Sequence, residues 1–256
     1  MQKGKKGVSS DNLFPIIKKF LYSDHDIFLR EIVSNAVDAT QKLRTLAGKG
    51  EYSGDLSNAK VRVSVDKDAK TITVSDNGIG MTAEEIEKYI NQIAFSGAEE
   101  FLEKYKDDAN AIIGHFGLGF YSAFMVSDKV EIFTKSFQEG AKGVHWSCEG
   151  NPEFVLDECD YNDRGTTIVL HLSEEADEFN DEHRILSILK KHCLFLPFPI
   201  RFGEESKWEP ANPDDKESKE TKEIKVPRII NNTDPIWKKN ASELTDEDYE
   251  NFYREL

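Results

Sequence analysis

Four short runs of alternating apolar residues follow one another at 129–134, 143–148, 153–159 and 165–172, with only a few residues between them. Alternation at period two marks strands with one buried face. Short connections favour antiparallel neighbours, because a parallel pair needs a crossover of a dozen or more residues. Two earlier runs, 60–66 (Val61, Val63, Val65) and 71–75 (Ile72, Val74), read as a hairpin closed by Lys67, Asp68 and Ala69. Helical spacing covers residues 11–47, interrupted near Ser23. It returns over 82–106, with Met81, Ile86, Ile90 and Ile93 on one side, and over 181–195, halted by Leu196-Pro197-Phe198-Pro199. Helices first and strands in succession predict an α+β fold in two layers, a mostly antiparallel sheet covered by helices, rather than a doubly wound parallel sheet.

The 256 residues suffice for one sizeable core with an appended segment. Composition shifts after Phe202: twelve of the twenty residues 204–223 are charged, two are proline, and Trp208 is the one aromatic. Such a stretch reads as a linker. The expected division is a domain over 1–203, a charged linker over 204–225, and the opening of a second domain over 226–256. In that last part 224–230 could form a strand, and Thr245-Asp246-Glu247-Asp248 is a helix start of the capping-box kind.

With 48 acidic against 33 basic side chains the net charge is −15. That balance argues against nucleic acid and against a membrane surface as partners, since both reward Lys and Arg. A nucleotide needs only a local cradle and stays open. The three cysteines, Cys148, Cys159 and Cys193, form no disulfide framework and point to a reducing compartment. Trp146 and Cys148 alternate with Val144 and read as core. The six histidines show no metal-ligand spacing. No stretch is apolar for long enough to span a bilayer, and no secretory leader is evident, so a cytoplasmic protein is expected.

On the helix that includes residues 26–46, at 100° per residue, Asn35 lies roughly 40° and Asp38 roughly −20° from Glu31. A carboxylate, an amide and a second carboxylate therefore share one face, flanked by Ile27 and Phe28, with Ile32, Ala36, Ala39 and Leu43 on the adjoining arc. Arg30, Ser34 and Gln41 are expected on the solvent side. Charges facing inward need a partner, a metal or a ligand. Taken alone, the stripe reads as the exposed side of an amphipathic helix, and the inward reading needs a second element pointing at the same space.

Three further elements point at the same space. Asp76-Asn77-Gly78-Ile79-Gly80-Met81 follows a strand directly, so Asp76 can offer a carboxylate oxygen to a base amino group while the glycines let the backbone approach a flat ligand. Gly114-His115-Phe116-Gly117-Leu118-Gly119 precedes a short helix over 120–125, where free backbone N–H groups suit a polyphosphate. It is neither a P-loop nor a dinucleotide fingerprint. Gly165-Thr166-Thr167 opens a strand, placing a hydroxyl where it could meet a base or a water. Each element also has an ordinary reading as a turn or a strand start.

Taken in order, these motifs resemble the Bergerat (GHKL) ATP-binding fold of gyrase, histidine kinases, MutL and the heat-shock protein 90 chaperones. Within it, Phe28-Leu29-Arg30-Glu31-Ile32-Val33-Ser34-Asn35-Ala36-Val37-Asp38-Ala39 and the segment from Gly114 to Ser122 resemble the heat-shock protein 90 versions. The resemblance runs over about 12–200 and resumes at Asn231-Asn232-Thr233-Asp234-Pro235-Ile236-Trp237, similar to the start of that family's middle domain. The short charged linker suggests the bacterial branch.

By that resemblance Glu31 is the general base toward the water that attacks the γ-phosphate, and Asn35 helps to hold Mg²⁺. Asp76 accepts the adenine amino group of ATP or ADP, with Thr166 supporting through water. Gly80 and Met81 line the base, Gly117, Gly119 and Phe120 the phosphates, and Asp38 supports the Asn35 side of the pocket. Residues 91–119 would form a lid, with Gly97, Gly114 and Gly117 as hinges. Tyr89 and Phe95 stand where relatives often place an asparagine and a lysine; Asn91 or Gln92 could substitute for the first, and nothing obvious substitutes for the second. The resemblance further implies client proteins bound through a longer chain, a homodimer at that length and a monomer for this one. An ATP-sensing module without significant turnover, or another Bergerat ATPase, is the alternative.

Overall fold

The computed structural model describes residues 24–92, 97–105, 112–114, 117–151, 153–210 and 221–255. The expected helix over 11–23, and Ile93, Phe95, His115 and Phe116, lie outside them. Eight strands form one sheet: β1 (Val61–Asp66), β2 (Thr71–Asp76), β3 (Ser127–Lys135), β4 (Gly143–Cys148), β5 (Phe154–Cys159), β6 (Gly165–Leu172), β7 (Ile200–Pro210) and β8 (Thr221–Ile229). Their order is β5-β4-β3-β6-β2-β1-β7-β8. All pairs are antiparallel except β1 with β7.

Register makes one face of this sheet the core. Leu156, Trp146, Ile132, Ile168, Val74, Val63 and Phe202 pair in succession across seven strands, a single apolar row. Most of these side chains are buried, each contributing roughly 1.5–3 kcal/mol when fully removed from water. Two residues further along the same face, the row reads Val144, Thr134, Thr166, Asp76, Val61. Three polar residues therefore stand side by side on the buried face, one step from its apolar centre.

Helix α1 (Ile27–Gly48) covers that face, burying Phe28, Leu29, Ile32, Val33, Ala36, Val37 and Leu43. It packs on β2, on the 3₁₀ helix Gly119–Met125 and on α4 (Glu182–Cys193). Phe28 meets Phe179, from the 3₁₀ helix Glu174–Asn180, edge to face at 5.1 Å. Asp181 caps α4 by accepting from the His183 and Arg184 N–H groups, and Thr82 with Glu85 forms a reciprocal capping box on α2 (Ala83–Tyr89). Thr245 and Asp248 cap α5 (Asp246–Glu255) in the same way, as the sequence predicts.

Several expectations change. The single helix over 82–106 is two: α2 stops at Tyr89, and α3 (Gly97–Lys104) is separate. The Asn91 N–H reaches back to the Ile86 carbonyl, ending α2 with a widened turn. The helix expected over 120–125 is 3₁₀ rather than α, with Phe120 to Met125 all buried. Both flanks of the charged stretch are strands. The β7–β8 ladder needs only backbone groups, so charged side chains that defeat a core do not defeat this hairpin. Among the described residues, no helix is long and apolar enough to cross a membrane.

Candidate functional site

Asp76 and Thr166 of the polar row lie in the floor of a cavity of about 810 Å³, within the range of small-ligand sites. Asp76 ends β2 there, and its Oδ1 accepts the Gly78 N–H at 2.8 Å. Desolvation pushes its carboxyl up to about 7, against hydrogen bonds from the backbone of Gly78 and Thr166 that pull it down. The turn beyond it is built tightly. Ile79 N–H bonds the Ala39 carbonyl of α1 at 3.1 Å. Gly80 has φ +61°, and a Cβ there would run into the Lys135 carbonyl. The Arg164 guanidinium donates to the carbonyls of Asn77 and Gly78 and lies over the Tyr52 ring.

Helix α1 supplies the opposite wall with Glu31, Asn35 and Asp38, so the stripe does face inward. Arg30, Ser34 and Lys42 add further polar groups to it. Ser34, expected on the solvent side, is buried and lines the cavity; at roughly −60° from Glu31 it sits at the edge of the same face. Lys42 also lines it. Its position at roughly 20° on the same wheel places it on the Glu31 face. Desolvation lowers the Lys42 pKa, while Asp38 and Glu85 oppose that shift. Desolvation raises the Glu31 carboxyl, countered by Arg30, whose Nε lies 4.0 Å from Oε1.

Ile113, Gly114, Gly117 and Leu118 also line the cavity. The Asp38 carboxylate accepts the Ile113 N–H at 2.9 Å and the Gly114 N–H at 2.7 Å. Asp38 thus fastens this backbone, a more specific task than supporting the Asn35 side. Gly117, with φ +62°, Gly119 and Phe120 follow along the wall.

Of the residues singled out from sequence, Glu31, Asn35, Asp38, Asp76, Gly80, Met81, Gly117, Gly119, Phe120 and Thr166 all line this one cavity. Asn91 does not. Its Oδ1 accepts the Trp146 indole N–H at 2.9 Å, which turns the amide into the protein instead. Tyr89 does line the cavity, and Phe95 lies outside the described residues. Thr134 was missed: it is fully buried beneath Met81 and Thr166. Its signal was a hydroxyl at the buried parity of β3, in step with Val130 and Ile132.

A helix-borne Glu-Asn-Asp face opposed by a strand-end aspartate and flanked by a glycine-rich segment defines a class, and comparison with known families agrees. Residues 22–151 match the family of histidine kinase-, DNA gyrase B- and HSP90-like ATPases, and residues 202–256 match the Hsp90 protein family. The chain belongs to these HSP90-like ATPases, in a two-layer α+β fold of the expected kind. It is 63% identical over its whole length to the chaperone protein HtpG of Bacteroides fragilis. It is 58% identical over 255 residues to HtpG of Porphyromonas gingivalis, and 40% identical over 92% of the chain to HtpG of Escherichia coli. The chain spans only 36–37% of the length of these relatives.

Proposed function

We propose that the chain binds ATP with Mg²⁺ in this cavity and hydrolyses it slowly. Within a longer cytoplasmic protein this cycle drives a chaperone that acts on unfolded or partly folded clients. The observation that carries the reading is the opposition, across one cavity, of Glu31 and Asn35 on α1 to the Asp76 carboxyl on the sheet. Asp76 and Thr166 take the adenine edge, Asp76 directly and Thr166 through water. A guanine would set a carbonyl against Asp76, and an unmatched buried polar group discriminates strongly. Gly80 and Met81 line the base. The backbone of Gly117, Gly119 and Phe120, at the start of a helix, meets the phosphates.

Glu31 acts as general base toward the attacking water. A carboxyl raised by desolvation is a better proton acceptor than an ordinary one, which supports this role. Asn35 would hold Mg²⁺: a Cβ on Gly114 would lie 3.3 Å from both Asn35 Oδ1 and Asp38 Oδ2, so hard oxygens converge at that edge. Asp38 is committed to backbone N–H groups, which leaves Asn35 as the protein's ligand. The ion would neutralise charge on the phosphates. Residues 1–203 form the ATP-binding domain, 204–225 the charged connection and 226–256 the start of a middle domain. The chain is monomeric, and the longer protein dimerises.

Calorimetric titration of ATP·Mg²⁺ and GTP·Mg²⁺ into the wild type and Asp76→Asn tests the pocket. Selective ATP binding that disappears in Asp76→Asn is expected. Single-turnover hydrolysis should fall about 10²-fold or more in Glu31→Ala while ATP still binds. A folded wild type that binds neither ATP nor ADP overturns the reading, and unchanged hydrolysis in Glu31→Ala removes Glu31 as the base.

A further inference from the structure

Thr134 sits behind the cavity wall, fully buried, and its hydroxyl has three neighbours. It lies 2.9 Å from the Met81 nitrogen, 2.9 Å from the Gly165 carbonyl and 3.0 Å from the Thr166 hydroxyl. A hydroxyl carries one proton and two lone pairs. The Met81 N–H can only donate, so it takes one lone pair of Thr134. The Gly165 carbonyl can only accept, so it takes the single proton of Thr134. The remaining neighbour, the Thr166 hydroxyl, must therefore donate its own proton into the second lone pair. Thr166 lines the cavity, and what it presents there is lone pairs alone.

We infer that Thr134 is a positioning residue that fixes the Thr166 hydroxyl as a hydrogen-bond acceptor toward the cavity, and so selects a purine edge bearing an amino group over one bearing a carbonyl. The inference rests on the nucleotide reading of the site and deepens it. Asp76 and Thr166 are neighbours in register across β2 and β6, so two acceptors stand side by side. An amino group, with a bridging water that donates both of its protons, satisfies both. A carbonyl satisfies neither. Without the Thr134 hydroxyl, the Thr166 hydroxyl is free to rotate and donate, and the carbonyl edge becomes tolerable.

The test compares ADP with inosine diphosphate, which replaces the amino group by a carbonyl, in the full 256-residue chain. The quantity read is the dissociation constant for inosine diphosphate divided by that for ADP. Thr134→Val should lower that ratio about tenfold, the scale of one buried hydrogen bond, while Thr134→Ser keeps it within about threefold. Thr166→Val should lower it similarly, and the double variant no further, because both changes remove the same constraint.

A role in packing alone would weaken both nucleotides together and leave the ratio untouched, and that result overturns the inference. If Thr134→Val does not fold, Thr134→Cys reads the same ratio with a thiol, a weak donor and acceptor of similar size. A wild type that binds no ADP defeats the nucleotide reading itself and the inference with it. A wild type that discriminates, beside a Thr134→Val that discriminates equally, defeats the inference alone.

Discussion

Gly119 and Glu31 sit so close that a Cβ built on Gly119 would come within 2.5 Å of Glu31 Oε2. The phosphate-side segment and the base-bearing helix therefore meet at a position where any side chain would displace the Glu31 carboxylate. The atom in the way is the far end of a flexible side chain, so Gly119→Ala can be accommodated by rotating Glu31 rather than by moving backbone. Thermal stability should change by less than about 1 kcal/mol. Hydrolysis should fall at least about tenfold as the carboxylate leaves its position. A melt and a single-turnover assay on one preparation check both halves; a variant with unchanged turnover counts against the placement of Glu31.

Asp76 makes stability and binding respond to pH in opposite directions. Its folded-state pKa, about 7, lies above the ordinary 3.8. Its stabilising contribution is full below the unfolded value and is lost as pH rises from about 4 through 7. Asp76→Asn should flatten that slope and raise the melting temperature of the ligand-free protein at pH 8, even as it removes nucleotide binding. An amino group donating to Asp76 favours the ionised carboxylate, so ADP should bind more tightly at pH 8 than at pH 6. Binding near pH 7 should release a proton beyond the titration of ADP itself. Calorimetry in two buffers of different ionisation enthalpy measures that release.

Asp38 holds the Ile113 and Gly114 N–H groups with one carboxylate. Asp38→Ala should cost about 1.5–3 kcal/mol, the scale of hydrogen bonds to a charged group, and residues 112–114 should lose amide protection. Denaturant melts give the first quantity and hydrogen exchange the second. Unchanged protection at Ile113 and Gly114 would mean that other contacts hold the segment.

Arg164 reaches the turn after β2 from the far side and clamps its two carbonyls. Arg164→Met keeps much of the side-chain bulk and removes the donors. ADP affinity should weaken about tenfold through a looser Asp76 turn, with the secondary structure intact by circular dichroism.

Local pattern carried most of the fold. Val61, Val63 and Val65, Ile72 and Val74, and three of the four later alternating runs are strands with alternating burial, a property of the strand itself, whereas the edge strand β5 pairs with β4 and buries none of its side chains. The Glu31-Asn35-Asp38 face follows from 100° per residue, and the same arithmetic applied one turn further would have added Lys42. The glycine turns were legible through residue type, since a position such as Gly80, at φ +61°, tolerates little else.

Other features depended on partners distant in sequence. Composition identified 204–223 as charged but could not say that β7 would lie parallel to β1, Val61 beside Ile200, because pairing is made by backbone groups that every residue carries. Asn91 was open to a ligand on spacing alone until Trp146, 55 residues away, took its amide oxygen. Ser34 moved from solvent to cavity because burial depends on what packs above a helix, not on the helix. The sequence by itself determined which residue types stand on which face. Only tertiary structure decided that Thr134, Thr166 and Asp76, from three strands, form one row, and that desolvation there lifts a carboxyl to about 7. Register and desolvation are set by the whole assembly of strands and helices, and no local segment contains them.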